Sequence, residues 1–271
     1  MAGTAAPALA IAFWRNASAS VLIAPLAALN SRTELRAQDR RGWMATIFAG
    51  AMLAAHFATW VSALKLTSVA AATALVTTQL VWVVLIDRLR GVRASGAVLI
   101  GMGLAVAGVL VISGVDFTLS RRAVTGDLLA IAGGLFAALY LLAGSRIRKA
   151  WSTTTYTFTC YGTCAVILGI VCLVGGVDLV GFSARTWLLI AAVTVSAQLL
   201  GHSLLNHLLA VMSPTVISLL ILLEVPGAAI LAGVFLDQEP PAGVYVGLAM
   251  ILAGLAGVVL SRPPSEPVIA D

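Results

Sequence analysis

Few side chains in this sequence can do chemistry inside an apolar environment, and they fall on a small number of segments. Glu224 stands near the middle of one apolar run, two residues before Pro226. A carboxylate there is penalised in its charged form, which makes Glu224 a candidate proton carrier. Pro226 has no N–H for the carbonyl of residue 222, so it is a candidate hinge beside that carboxyl. Arg15 lies about six residues inside its apolar run, where a charge costs about 2.5 kcal/mol or more. It either snorkels outward or faces the interior and holds an anionic substrate group. Gln198, His202 and Asn206 are spaced i, i+4, i+8 on one helix face, and His56 and Trp60 form a similar stripe on another. Thr77, Thr78, Gln79 and Trp82 add hydrogen-bonding and aromatic surface, as do Trp14, Tyr140 and Tyr161. Together these groups suit a cavity that binds a small solute. The plainer reading is polar contact between helices, worth about 0.6 kcal/mol each.

Other chemistries find no support. Cys160, Cys164 and Cys172 share one apolar stretch with no CxxC pair and no Cys/His cluster, so no metal site is expected. There is no HExxH, no GxSxG and no aspartate-rich motif. The glycine runs GMGLAVAG (101–108) and LAMILAGLAG (248–257) lack a preceding strand and a following GK[ST], and close helix packing accounts for them. The expectation is a protein that is not an enzyme and uses no cofactor.

The elements that must position these groups are membrane helices. Of 271 residues, 61% are apolar and 10% charged, with a mean hydropathy of +1.05. Soluble domains carry about 25% charged residues. Nine apolar segments are predicted, at 7–29, 42–63, 67–86, 95–114, 125–144, 154–175, 187–207, 214–236 and 242–260. Each is long enough to span a bilayer as a helix, and the alternation of a membrane barrel is missing. The N-terminus has no basic region before its apolar run, so a cleaved signal peptide is a poor fit. The net charge of +5 would suit nucleic acid, but its placement argues for membrane orientation instead. Connections on one side hold eleven Lys and Arg residues, from Arg32 to Arg262, and those on the other hold four. This bias predicts a plasma-membrane protein with a cytoplasmic C-terminus and an external N-terminus. The tail 261–271 is Pro-rich and expected to be disordered.

Sliding the chain by 146 residues lays its second half on its first: His56 falls on His202, Thr78 on Glu224, and Gly101 and Gly108 on Gly247 and Gly254. The fifth segment would map before residue 1. The predicted fold is therefore an all-α polytopic bundle of two inverted five-helix repeats, the first lacking its opening helix. Inverted repeats mark secondary transporters, with the substrate near the midplane between halves.

Several stretches resemble the EamA-like branch of the drug/metabolite transporter superfamily. PALAIAFWRNASASVLIAPLAAL (7–29) is similar to its second helix, and AHFATWVSALKLTSVAAATALVTTQLVWVVL (55–85) to its third and fourth. TGDLLAIAGGLFAALYLLAGSRIRK (125–149) is similar to the start of its second repeat, and SPTVISLLILLEVPGAAILAGVFLDQEP (213–240) to its ninth helix. Two departures stand out. The family has ten helices with both ends cytoplasmic where this chain shows nine. Leu80 and Arg93 stand where the second repeat has Pro226 and Glu239. The resemblance implies an incomplete first repeat at 1–114, a second repeat at 125–260, and export of small organic metabolites or drugs by alternating access. The alternative is a non-transporting subunit or a truncated remnant of such a transporter. The expected partners are a small-molecule substrate and the lipid bilayer, not nucleic acid; a homo-oligomer stays open.

Overall fold

The computed structural model describes residues 6–67, 69–113, 120–227 and 242–260, and these are helical with short connections. In chain order the helices are α1 (Ala8–Asn30), α2 (Arg32–Ala37), α3 (Arg40–Ala63), α4 (Val69–Val76), α5 (Gln79–Leu89), α6 (Gly96–Ser113), α7 (Arg121–Ile147), α8 (Thr153–Val174) and α9 (Ala184–Val193). A π-helical segment, Thr194–His202, follows, then α10 (Ser203–Leu208), α11 (Pro214–Ile221) and α12 (Ala242–Leu260). Serine sets several of the starts. Ser120, Ser152, Ser183 and Ser213 each accept the N–H three residues on, capping α7, α8, α9 and α11. Pro214 takes the first position of α11, where its missing N–H costs nothing.

Six helical stretches among the described residues are long and apolar enough to cross a membrane: Ala8–Asn30, Arg40–Ala63, Ala71–Leu89, Arg121–Ile147, Thr153–Val174 and Ala184–Leu208. Gly96–Val111, Pro214–Gly227 and Ala242–Val258 are shorter apolar helices. Leu22, Leu128, Leu173 and Leu204 are exposed, as residues facing lipid are. The segment expected as one helix over 67–86 is two, α4 and α5, parted at Thr77–Thr78. The second part of the 214–236 segment and the tail 261–271 lie outside the described residues.

The most extensive pairings are α6 with α12, α3 with α7 and α1 with α8. Glycine permits the first. A Cβ on Gly101 would lie 2.6 Å from Gly254 O, and one on Gly108 would lie 2.6 Å from Gly247 O. Rising numbers on α6 meet falling numbers on α12, so the two helices run antiparallel. The connections meet in two sets. Glu34, between α1 and α3, receives hydrogen bonds from Ser152, between α7 and α8, and from Thr155 in the first turn of α8. Arg122 at the start of α7 donates to Lys65 O at the end of α3. Each meeting joins connections that the charge count assigned to one side.

Candidate functional site

Two interrupted helices frame the site. At the α4–α5 break, Thr77 Oγ1 donates to Ala74 O at 2.6 Å and Thr78 Oγ1 to Leu75 O at 2.7 Å. These threonines compete with the helix for its carbonyls, and the backbone tightens to Thr78 N–Leu75 O and Leu80 N–Thr77 O contacts. Beyond α11, Leu222 and Leu223 form a turn and residues 224–227 resume the helix. Pro226 cannot serve Leu222 O, and the N–H of Val225 takes it at 3.2 Å instead. The two breaks lie about one 146-residue repeat apart, although only the second contains proline.

The α7 pair Gly133–Gly134 seats the first break. A Cβ at Gly134 would stand 2.8 Å from both Val76 O and Thr78 Oγ1. Gly133 O lies 2.9 Å from His56 Nδ1. A carbonyl only accepts, so Nδ1 carries a proton. These two glycines were legible in the sequence but had no partner there to explain them.

A cavity of about 410 Å³ lies against both breaks, within the range of small-molecule sites. Arg15 from α1, His56 and Trp60 from α3, Val76 and Gln79 at the first break, Tyr140 from α7, His202 from the π segment and Glu224 beyond the second break all line it. His56 and Trp60 are stacked, with centroids 5.9 Å apart and planes 6° apart. Glu224 is exposed, whereas Arg15 is 2% exposed and lies over the Phe57 ring at 4.3 Å.

Thr78, Trp82, Gln198 and Asn206 do not line this cavity. Thr78 is held in the break, with Thr77 and Gln79 lining in its place. Trp82 packs with Val83, Ala138 and Leu142. Gln198 and Asn206 are fully buried behind the wall. Gln198 Oε1 accepts from Arg15 Nε at 2.8 Å, and its Nε2 donates to Asn16 Oδ1 at 3.1 Å. Asn206 Oδ1 accepts from Tyr140 Oη at 2.5 Å, while its Nδ2 donates to Tyr161 Oη at 3.3 Å. The π segment explains this divided stripe. Its wider turns bring Ser203 N–H to Gln198 O, five residues back, and shift the face that four-residue spacing would present. Pro226 is buried beside Glu224, and Trp14 donates to Leu179 O at 2.7 Å away from the cavity.

A second polar cluster closes the end of the bundle nearest Asn206. Arg148, 7% exposed, donates from Nε to Asn206 O at 2.9 Å, from Nη2 to Thr153 Oγ1 at 2.8 Å, and to Trp151 O. Glu34 accepts from Ser152 N at 2.5 Å, Ser152 Oγ at 2.6 Å and Thr155 Oγ1 at 2.5 Å. Burial opposes the charge on Glu34, but these hydrogen bonds and the nearby Arg148 outweigh it and hold the carboxyl below its ordinary pKa. Burial lowers the basicity of Arg148, and Glu34 restores part of it. Among the described residues no group of three or more His, Cys, Asp or Glu side chains is arranged to hold a metal ion.

The architecture recurs in known proteins. One solved crystal structure, described only as that of a protein, matches 96% of this chain and 89% of its own at 20% identity, with a TM-score of 0.79. That likeness establishes a shared fold. No curated protein sequence is significantly similar to the chain. The sequence model of the EamA-like transporter family matches residues 1–114 and 124–260. A multi-pass bundle of apolar helices, interrupted beside a solute-sized cavity, is what a membrane transporter requires, and this chain belongs to the EamA-like transporter family.

Proposed function

We propose that the protein is a secondary transporter that exports small organic metabolites or drugs by alternating access. The observation that carries this reading is the cavity itself. It is lined from both parts of the chain and lies where two helices are broken, the arrangement expected of transporters whose substrate sits between repeats. The repeats are 1–114 and 125–260, inverted in the membrane. The α6–α12 crossing supports that relation: exchanging each residue for its counterpart 146 positions away turns the Gly101–Gly254 contact into the Gly247–Gly108 contact. Two equivalent helices crossing antiparallel with reciprocal contacts are what a two-fold axis in the membrane plane produces. Arg15, His56, Trp60 and His202 contact the solute, Glu224 carries the coupling proton, and Pro226 bends the segment that bears it. Thr78, Trp82, Gln198 and Asn206 shape and brace the walls. The protein resides in the plasma membrane with its C-terminus in the cytoplasm.

The test is efflux from proteoliposomes loaded with a defined mixture of amino acids, organic acids, amines, nucleosides and sugars. At least one solute should leave faster than from protein-free vesicles. Ala197→Trp, which fills the cavity from an exposed lining position, should abolish that excess. Glu224→Gln should remove its dependence on a pH gradient. Equal efflux with and without protein for every solute would refute transport, and unchanged pH dependence in Glu224→Gln would refute its coupling role.

A further inference from the structure

The cavity wall holds a buried charge and buried donors that the described residues leave incompletely paired. Arg15 is 2% exposed, and among the described residues its guanidinium donates once, from Nε to Gln198 Oε1. One guanidinium face rests on the Phe57 ring. Among the described residues no carboxylate comes within 4.0 Å of it. A neutral amide and an aromatic face compensate only part of the cost of burying a cation. Two further donors on lining residues, Trp60 Nε1 and Gln79 Nε2, are buried without an acceptor, and Gln79 itself is 5% exposed. Unsatisfied donors of this kind are rare enough to need an explanation.

Glu224 is in the opposite position. It lines the same cavity but is exposed, and among the described residues no basic side chain comes within 4.0 Å of its carboxylate. Among the described residues the buried guanidinium lacks an acceptor in direct contact with its remaining N–H groups. The remaining walls are apolar at Val76, Leu141 and Ile221, and the parallel rings of His56 and Trp60 offer a flat surface.

We propose that this cavity binds small organic carboxylates with a flat apolar body, the carboxylate pairing with the unused guanidinium N–H groups of Arg15. The paired N–H edges of arginine match the two oxygens of a carboxylate, which a point charge such as lysine does not reproduce. The proposal rests on reading this cavity as the solute site, and it stands apart from transport because binding alone tests it.

Four probes sharing one phenyl skeleton separate the charge classes: 3-phenylpropionate, 3-phenylpropionamide, 3-phenylpropylamine and phenylalanine. Binding to the full chain in lipid nanodiscs is followed by calorimetry and by tryptophan fluorescence, since Trp60 lines the site. The carboxylate should bind at least about tenfold tighter than the amide, the amine or the zwitterion. Arg15→Gln should erase that preference, and Arg15→Lys should keep part of it. At a pH where Glu224 is ionised, Glu224→Gln should bind the carboxylate more tightly than the parent protein, because it removes a like charge from the cavity. Binding of the amine or of phenylalanine at least as tight as that of the carboxylate overturns the assignment, as does no binding of any probe. If Arg15→Gln does not fold, Arg15→Lys and Glu224→Gln decide: a carboxylate preference unchanged in Arg15→Lys, or weakened binding in Glu224→Gln, is equally fatal. Binding as predicted, with no protein-dependent efflux of any solute tested, would sink the transport reading and leave this one intact.

Discussion

Arg15 and Gln198, 183 residues apart in sequence, share a buried hydrogen bond of 2.8 Å. The same amide reaches Asn16, so Gln198 fixes two neighbouring side chains of α1 against the π segment. Breaking this junction leaves buried polar groups unpaired, which costs about 1–3 kcal/mol. Gln198→Leu should therefore lower the unfolding midpoint in detergent by several degrees. Gln198→Glu should restore part of it, because a carboxylate pairs with the guanidinium but has no N–H for Asn16 Oδ1. A Leu variant melting with the wild type would show that the contact holds nothing.

Gly134 is the seat of the first helix break. Any side chain there drives into Val76 O and Thr78 Oγ1, and overpacking of this kind costs about 1–3 kcal/mol. Gly134→Val should destabilise the protein and expose the α4–α5 junction to backbone hydrogen exchange. Gly103, which has open space at its Cβ, serves as the control: Gly103→Val should leave both properties near wild type.

The depressed pKa of Glu34 predicts a pH dependence of stability. A carboxyl held below its ordinary value stabilises the fold at pH values above that ordinary value, near 4.3. The contribution shrinks as pH falls below it and is gone once pH passes the lower folded value. Thermal unfolding scanned from neutral pH to about pH 3 should show a fall at the acid end, flattened in Glu34→Gln. Because Glu34 is only partly buried, the difference should be small. A fall of equal size in the variant would assign it to other groups.

The charge bias predicts the topology. A cysteine at Arg262 should resist impermeant thiol reagents in intact cells and react once the cells are opened. The native Cys160, Cys164 and Cys172 are buried and should give little background. Labelling of intact cells would reverse the proposed orientation.

The long apolar segments were legible because lipid demands a helix wherever about 20 apolar residues run together, and serine caps set many of their ends. Arg15, His56, Trp60, His202 and Glu224 could be picked out because a polar group in an apolar run is costly and needs a reason. Thr78, Trp82, Gln198 and Asn206, expected at the solute site, do not line the cavity. Spacing of four assumes an α-helix, and the π segment turns Gln198 and Asn206 behind the wall. The break at Thr77–Thr78 has no proline to announce it; it depends on two threonine side chains and on Gly134 of another helix. Such a feature is tertiary, and neither stretch of the sequence reports it alone.

Alternating access is tested most directly at Ala197, which lines the cavity and is exposed. In a variant with the three native cysteines replaced by alanine, Ala197→Cys is labelled in oriented membrane vesicles by an impermeant thiol reagent applied to one face at a time. Leu204→Cys, exposed on the apolar surface, is the control. Position 197 should react from either face, and the two rates should change in opposite directions when a transported solute is added. Reaction from one face only, unmoved by every solute that the protein carries, would contradict a cavity that opens to both sides in turn.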